Sequence, residues 1–238
     1  MDTTAYVALS RQVALMREMT VLANNVANIG TTGFRAERTL FDTVLRRAGP
    51  AGEVAFVQDV GTAHDLRAGP LAATGSPLDV AIDGDGWLAF AAADGTAYSR
   101  AGRLQLAADG TVTDSAGRPL LDDAGAPIAL PTADGEISIA ADGTVSTRTG
   151  PVARIGLASF ADPRALRPRG DGLWTTAEAP LPSTARLVQG MLEGSNVEPV
   201  LEMTRLIETT RAFEGTQRLI ETHHDLERRA VERLLAAA

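Results

Sequence analysis

Few residues of this chain are of a type and spacing that could do chemistry. Asp83-Gly84-Asp85-Gly86 sets two carboxylates one residue apart, the opening of a calcium loop in which alternate oxygens converge on a hard cation. Such a loop needs glycine at its sixth position and glutamate at its twelfth, and here those positions hold Leu88 and Asp94. A hairpin turn accounts for the four residues better. His223-His224, flanked by Glu221 and Asp225, are metal-ligand types, but adjacent residues on a helix point about 100° apart and cannot share one ion. They read as polar positions on a solvated helix. His64 lies near Asp59 and Asp65, as a hydrolytic relay would require, but the chain has no cysteine and no Gly-x-Ser-x-Gly elbow. No catalytic, cofactor-binding or metal-ligating residue is therefore assigned, and no cofactor is expected. Asn24, Asn25 and Asn28 crowd a helix end and have two readings: capping and turn formation, or a hydrogen-bonding face for a partner helix.

Composition narrows the classes further. All 22 basic residues are arginine, so Schiff-base and Walker-type phosphate chemistry have no lysine to carry them. A formal charge of −8 opposes a phosphate-backbone binder, and nucleic acid is not expected as a partner. Without cysteine there is no disulfide framework. No run of about 18 apolar residues is present, so no direct membrane insertion is expected. The Met1-Asp2-Thr3-Thr4 start lacks the basic and apolar regions of a secretory leader.

The elements that must position these residues differ between the ends and the middle. From Thr4 to about Asn28 there is no glycine or proline, and Ala5, Leu9, Met16, Met19, Ala23 and Val26 recur by threes and fours, with Gln12 in the one polar place. Leu15 and Leu22 widen that stripe. The spacing predicts a helix roughly 37 Å long, broken by Asn28-Ile29-Gly30 and Thr31-Thr32-Gly33. At the other end Pro199 suits a first helical position, and helical character runs to about Leu235, roughly 55 Å. Met203, Leu206, Phe213, Ile220, Val231 and Leu234 share a stripe interrupted by Thr210, Gln217, His224 and Glu227. Isolated helices are marginal in water. These two either pair within the chain or pack between molecules, and the polar breaks, which specify register and partner, favour assembly.

Residues 75 to 190 are cut by turn signals at Asp83-Gly84-Asp85-Gly86, Asp94-Gly95, Asp109-Gly110, Gly117, Gly125, Asp134-Gly135 and Asp142-Gly143, with strand-sized intervals such as Leu78–Ile82, Trp87–Phe90, Glu136–Ile139 and Val152–Leu157. That predicts an all-β region. The tetrapeptide Ala-Asp-Gly-Thr recurs at 93, 108 and 141 without a fixed period, which is reused turn chemistry and not a solenoid. Residues 34–47 suit a short helix or an extended arm, and Gly49-Pro50-Ala51-Gly52 breaks whatever precedes it.

Leu22-Ala23-Asn24-Asn25-Val26-Ala27-Asn28 followed by Thr32-Gly33-Phe34-Arg35 resembles the amino-terminal signature of the flagellar rod and hook proteins. Pro77–Ile82, Asp85-Gly86-Trp87, Tyr98–Gly102 and Gly170–Trp174 resemble their β-domain blocks, and Leu192–Val197 and Arg211–Glu214 their carboxy-terminal segment. The resemblance is nearest to the proximal rod members. It implies an α+β fold: a discontinuous coiled-coil domain of terminal helices at 1–30 and 195–238, an extended arm or linker at 31–74, and a central all-β domain at 75–194. It also implies a structural subunit of the flagellar basal-body rod in the periplasm, exported without a cleaved signal peptide. The implied partners are the other rod subunits, proximal and distal, and copies of this chain. Leu9, Leu15, Met16, Met19, Leu22, Val26, Met203, Leu206, Phe213 and Ile220 are then expected at subunit contacts, and Asn24, Asn25, Asn28, Thr32, Gly33, Phe34 and Asn196 as motif positions. A distal rod subunit of the same family, or a secreted β-rich binding module, is the alternative.

Overall fold

The computed structural model describes residues 3–47, 53–131 and 137–236. The turn signal at Asp134-Gly135, Glu136 and the break at Gly49–Gly52 lie outside them, and the side chains of Asp59, Val231 and Leu234 are likewise not described. The chain is mixed α and β: an N-terminal helix α1 (Thr3–Ala27), a strand-rich middle and a C-terminal helix α2 (Pro199–Ala236). It divides into two compact units, the first comprising 1–28, 36–65 and 197–238, the second 29–35 and 66–196.

In the first unit α1 and α2 pack on each other, and α1 also touches both strands of a long hairpin, β1 (Glu37–Arg47) and β2 (Glu53–His64). Residues 37–47 are thus extended and not helical. The hairpin pairs Glu37 with His64 at one end and Arg47 with Glu53 at the other, with a bulge where the register shifts between Leu40 and Phe41. Helix α1 runs because nothing before Asn28 breaks it. It stops where the Asn28 amide donates to the Asn24 and Asn25 carbonyls and the Asn28 side chain donates to the Asn24 carbonyl at 2.9 Å. Pro199 opens α2 at a position that needs no amide hydrogen.

Leu22 apart, the buried residues of both helices lie beside the expected stripes and not on them. Helix α1 buries Ala8, Ala14, Val21, Leu22 and Asn25, while Leu9 and Met16 of the predicted seam stand 52% and 60% exposed. Helix α2 buries Glu202, Thr209 and Thr216 at seven-residue intervals, and its expected neighbours Met203 and Gln217 are exposed. The reason is chemical. Thr216 returns its hydroxyl to the Ala212 carbonyl at 2.9 Å, so a buried threonine leaves no polar group unmet and packs as a β-branched residue. A stripe read from apolar residues alone passes over it.

The second unit is built on a six-stranded sheet whose order is β13 (Arg167–Gly170), β14 (Leu173–Thr175), β6 (Gly95–Ser99), β5 (Trp87–Ala92), β12 (Leu157–Ser159) and β15 (Leu181–Pro182). A three-stranded sheet joins β11 (Gly150–Arg154), β10 (Thr144–Thr147) and β9 (Ile137–Ile139). Shorter ladders pair β16 (Arg186–Gln189) with β4 (Val80–Asp83), β17 (Met191–Glu193) with β3 (Leu71–Ala73), and β7 (Gln105–Leu106) with β8 (Val112–Thr113). One core gathers Val80, Ile82, Leu88, Phe90, Leu120, Ile128 and Leu187 among others. A second is aromatic: Trp87 and Trp174 lie 5.5 Å apart between ring centroids, and Tyr98 meets Phe160 edge-on at 4.8 Å. Burial pushes the Tyr98 hydroxyl above its ordinary pKa of 10.0.

Two copies of the repeated tetrapeptide do the same job. Asp109 accepts the Thr111 amide at 2.9 Å and Asp142 the Thr144 amide at 3.0 Å, and those bonds hold both carboxyls below their ordinary 3.8. A lowered folded pKa means that this contribution to stability is present above the unfolded value and is lost as pH falls through the folded one. In the third copy Asp94 instead pairs with Arg169.

Candidate assembly surfaces and signature clusters

Among the described residues, those that looked chemical make turn and surface contacts. Asp83–Gly86 is the turn between β4 and β5, with Gly84 at φ 108°. The His64 Nε2 lies 3.8 Å from Glu37, while Asp65 meets Arg38 at 3.5 Å. His223 sits 3.9 Å from Glu227 one helical turn on. Among the described residues no three His, Asp or Glu side chains are grouped to hold a metal. A groove of about 840 Å³ in the second unit is lined by Tyr98, Asp142, Arg154, Leu181, Ser183 and Arg186. Within it, Ser183 donates its hydroxyl to the Asp85 carbonyl at 2.6 Å.

The asparagines divide the work. Asn25, 1% exposed, accepts the Glu37 amide at 2.8 Å and donates to the Glu37 carbonyl at 2.9 Å and to Glu202 at 3.0 Å. One side chain therefore fixes the start of β1 to α1 and binds α2 as well. Glu202 also accepts from Arg205 at 3.1 Å. Asn24 and Asn28 bond to each other at the helix end. Both readings of the cluster hold, each for different members. Asn25→Ala leaves the Glu37 amide and carbonyl and the Glu202 carboxylate short of a partner, and should cost about 2–4 kcal/mol. Urea unfolding followed by far-ultraviolet circular dichroism, which reports the helices, checks it; an unchanged midpoint would refute the role.

A second cluster is ionic. Glu193, fully buried, receives Arg35 at 2.6 Å and Arg100 at 2.7 Å. Arg100 also donates to the carbonyls of Ile82 (3.1 Å), Gly84 (3.1 Å) and Gly86 (2.7 Å), bracing the β4–β5 turn. Gly33, at φ 68°, has its α-carbon so close to Arg100 that an added Cβ would stand 2.6 Å from that residue's backbone. Phe34 and Asn196 join through the Asn196 amide, which donates to the Phe34 carbonyl at 3.3 Å. Thr32 is partly exposed beside them. Both arginines and Glu193 lie inside the motif blocks, where the sequence alone assigns them no role. The available signal was a lone glutamate set between Leu192 and Gly194-Ser195.

The third feature is apolar. On α1, Tyr6, Leu9, Val13 and Met16 succeed one another by three, four and three residues and are 51%, 52%, 58% and 60% exposed. On α2, Val200, Met203 and Ile207 are 80%, 50% and 54% exposed. Leu15, Met19, Val26, Leu206, Phe213 and Ile220 are partly covered. Leu22 differs: at 5% exposure its area is spent within the chain.

Residues 6–35 match the model described as flagella basal body rod protein, 81–147 the flagellar hook protein FlgE/F/G D1 domain, and 188–233 the flagellar basal body rod FlgEFG protein C-terminal model. The chain is 42% identical to the flagellar basal-body rod protein FlgF of Caulobacter vibrioides over 98% of both chains. The chain belongs to the flagellar basal-body rod protein family. This rod protein is also 35% identical to FlgF of Salmonella typhimurium over 97% of each chain. With FlgG of Agrobacterium fabrum it shares 33% identity over 92% of its own length and 95% of the relative's. It is FlgF-like, a structural component of the flagellar basal body and not an enzyme. The ionic cluster draws one residue from each matched region of the rod protein: Arg35, Arg100 and Glu193.

Proposed function

We propose that this chain is a subunit of the proximal rod, crossing the periplasm, and that it assembles through its terminal helices in coiled-coil fashion with other rod subunits and with copies of itself. The exposed apolar row Tyr6-Leu9-Val13-Met16 carries the reading. A contiguous apolar stripe on a helix is covered in the working state of a protein, and burying it against a neighbour is worth roughly 25 cal/mol per Å². The row Val200-Met203-Ile207 offers a second such surface. Leu15, Met19, Val26, Leu206, Phe213 and Ile220, partly covered within the chain, flank these rows and extend the contact. Export unfolded through the flagellar type III channel suits a chain with no cysteine, which needs no oxidation to mature. Torque then passes through many lateral contacts without chemistry.

The cysteine-free background supplies the test. Met16→Cys and Met203→Cys, placed one at a time in the full chain, should give disulfide-linked species in oxidised, or bismaleimide-linked species in reduced, isolated basal bodies and none in the dilute monomer. Cross-linking that is equally absent from both preparations, in rods shown to contain the variant, would remove α1 and α2 from the subunit contacts.

A further inference from the structure

We propose that Glu193 is the catch of a clamp that opens and closes independently of the β core of the second unit. Three stretches of chain meet at this residue. The Gly33 amide donates to its carbonyl at 2.9 Å, the Gly69 amide donates to its Oε1 at 2.9 Å, and Arg35 reaches the same carboxylate at 2.6 Å. Beside it the Gly194 amide donates to the Pro70 carbonyl at 2.8 Å, and the Asn196 side chain donates to the Arg67 carbonyl at 2.9 Å. Gly69 and Gly194 approach backbone to backbone, so that a Cβ on Gly69 would stand 2.1 Å from the Gly194 oxygen.

What holds these stretches differs in kind from what holds the core. Arg67, Ala68 and Pro70 are exposed and Phe34 is only partly covered, whereas Leu66 packs against the aromatic core, so residues 29–35 and 67–70 are kept in place chiefly by hydrogen bonds and ion pairs to 193–196. The core around Leu88, Phe90 and Ile128 is apolar and sealed. Segments with little apolar burial open at lower free energy than a packed core, and removing their charged anchor lowers it further. Arg100 is the fixed jaw: with Glu193 gone it keeps the carbonyls of Ile82, Gly84 and Gly86. Arg35 is the moving jaw, because it lies on the short stretch 29–35 that joins the second unit from a separate part of the chain. The catch is made only when the chain is complete through residue 193. The proposal holds whether or not the helices pack on neighbouring subunits.

Hydrogen exchange on the full chain tests it. In Glu193→Gln the charge is gone and an NH2 donor replaces one of the two oxygens that accepted the guanidinium groups, so the amides of Gly33, Gly69 and Asn196 should exchange about 100-fold faster. The amides of β5 and β6 should keep their wild-type rates. Clamp amides that stay protected, or clamp and core amides that accelerate together, would overturn the proposal. Should the variant fail to fold, the wild-type chain decides by itself. Across a low denaturant series its clamp amides should exchange through an opening with a shallow denaturant dependence, and its core amides through one with a steep dependence. A single shared slope and rate would mean that there is no separate clamp.

Discussion

Gly102→Ala should sharply lower the stability of the second unit. A Cβ at this position would stand 1.7 Å from the Val80 carbonyl oxygen and 2.8 Å from its carbonyl carbon, both backbone atoms of a residue with 0% exposure. No rotamer change relieves that overlap. The two residues are also tied directly, since the Val80 amide donates to the Gly102 carbonyl at 2.9 Å. To admit one methyl group, β4 must leave the core that Val80 and Ile82 help to fill, and about 3–5 kcal/mol should be lost. Both tryptophans, Trp87 and Trp174, lie in the aromatic core of the same unit, so the denaturation midpoint read by intrinsic fluorescence reports this unit and not the helices. Gly30→Ala is the control: nothing lies within 4 Å of its added carbon, and the midpoint should move by no more than about 0.5 kcal/mol equivalent. An equal response of the two variants would refute the argument from close approach.

The second large effect is on motility. Leu9→Asp with Met16→Asp places two carboxylates on the apolar row of α1, at positions already 52% and 60% exposed. The monomer has little to lose there, and surface substitutions of this kind shift stability by about 0.5 kcal/mol or less each. In a subunit contact the same carboxylates would be stripped of water without a partner, at several kcal/mol each. Complementation of a strain lacking the wild-type chain should therefore give non-motile cells on soft agar. The purified variant should keep its circular dichroism spectrum and melting temperature. Full motility would show that this face stays uncovered in the assembled rod.

The architecture was legible where periodicity and turn chemistry are local. Two long glycine-poor stretches became α1 and α2, and the Asp-Gly pairs within the described residues fall at turns. What could not be read was which face of each helix its own chain would use. Apolar spacing marked Leu9, Met16 and Met203, whereas the chain buries Ala8, Thr209, Thr216 and the hydrogen-bonded pair Asn25 and Glu202. Small and self-satisfied polar side chains carry no hydrophobic signal, and only long-range contact shows that they are inside. The hairpin at 37–64 was undecided for a related reason, because its strand pairing joins residues on either side of a glycine-rich break. The Arg35–Glu193–Arg100 cluster spans 158 positions, the difference between 193 and 35, so no window along the sequence could have assembled it.

The Asn25–Glu202 bond has a mechanical consequence. An interface of leucines tolerates sliding by one heptad, since one leucine replaces another. Here a shift of α2 by seven residues would bring Thr209 to the place of Glu202, and the amide of Asn25 would face a shorter hydroxyl in place of a carboxylate. The two helices are therefore indexed, as a key indexes a hub on its shaft: an axial load along either helix meets a discrete stop, because only the observed setting keeps the Asn25 amide on the Glu202 carboxylate.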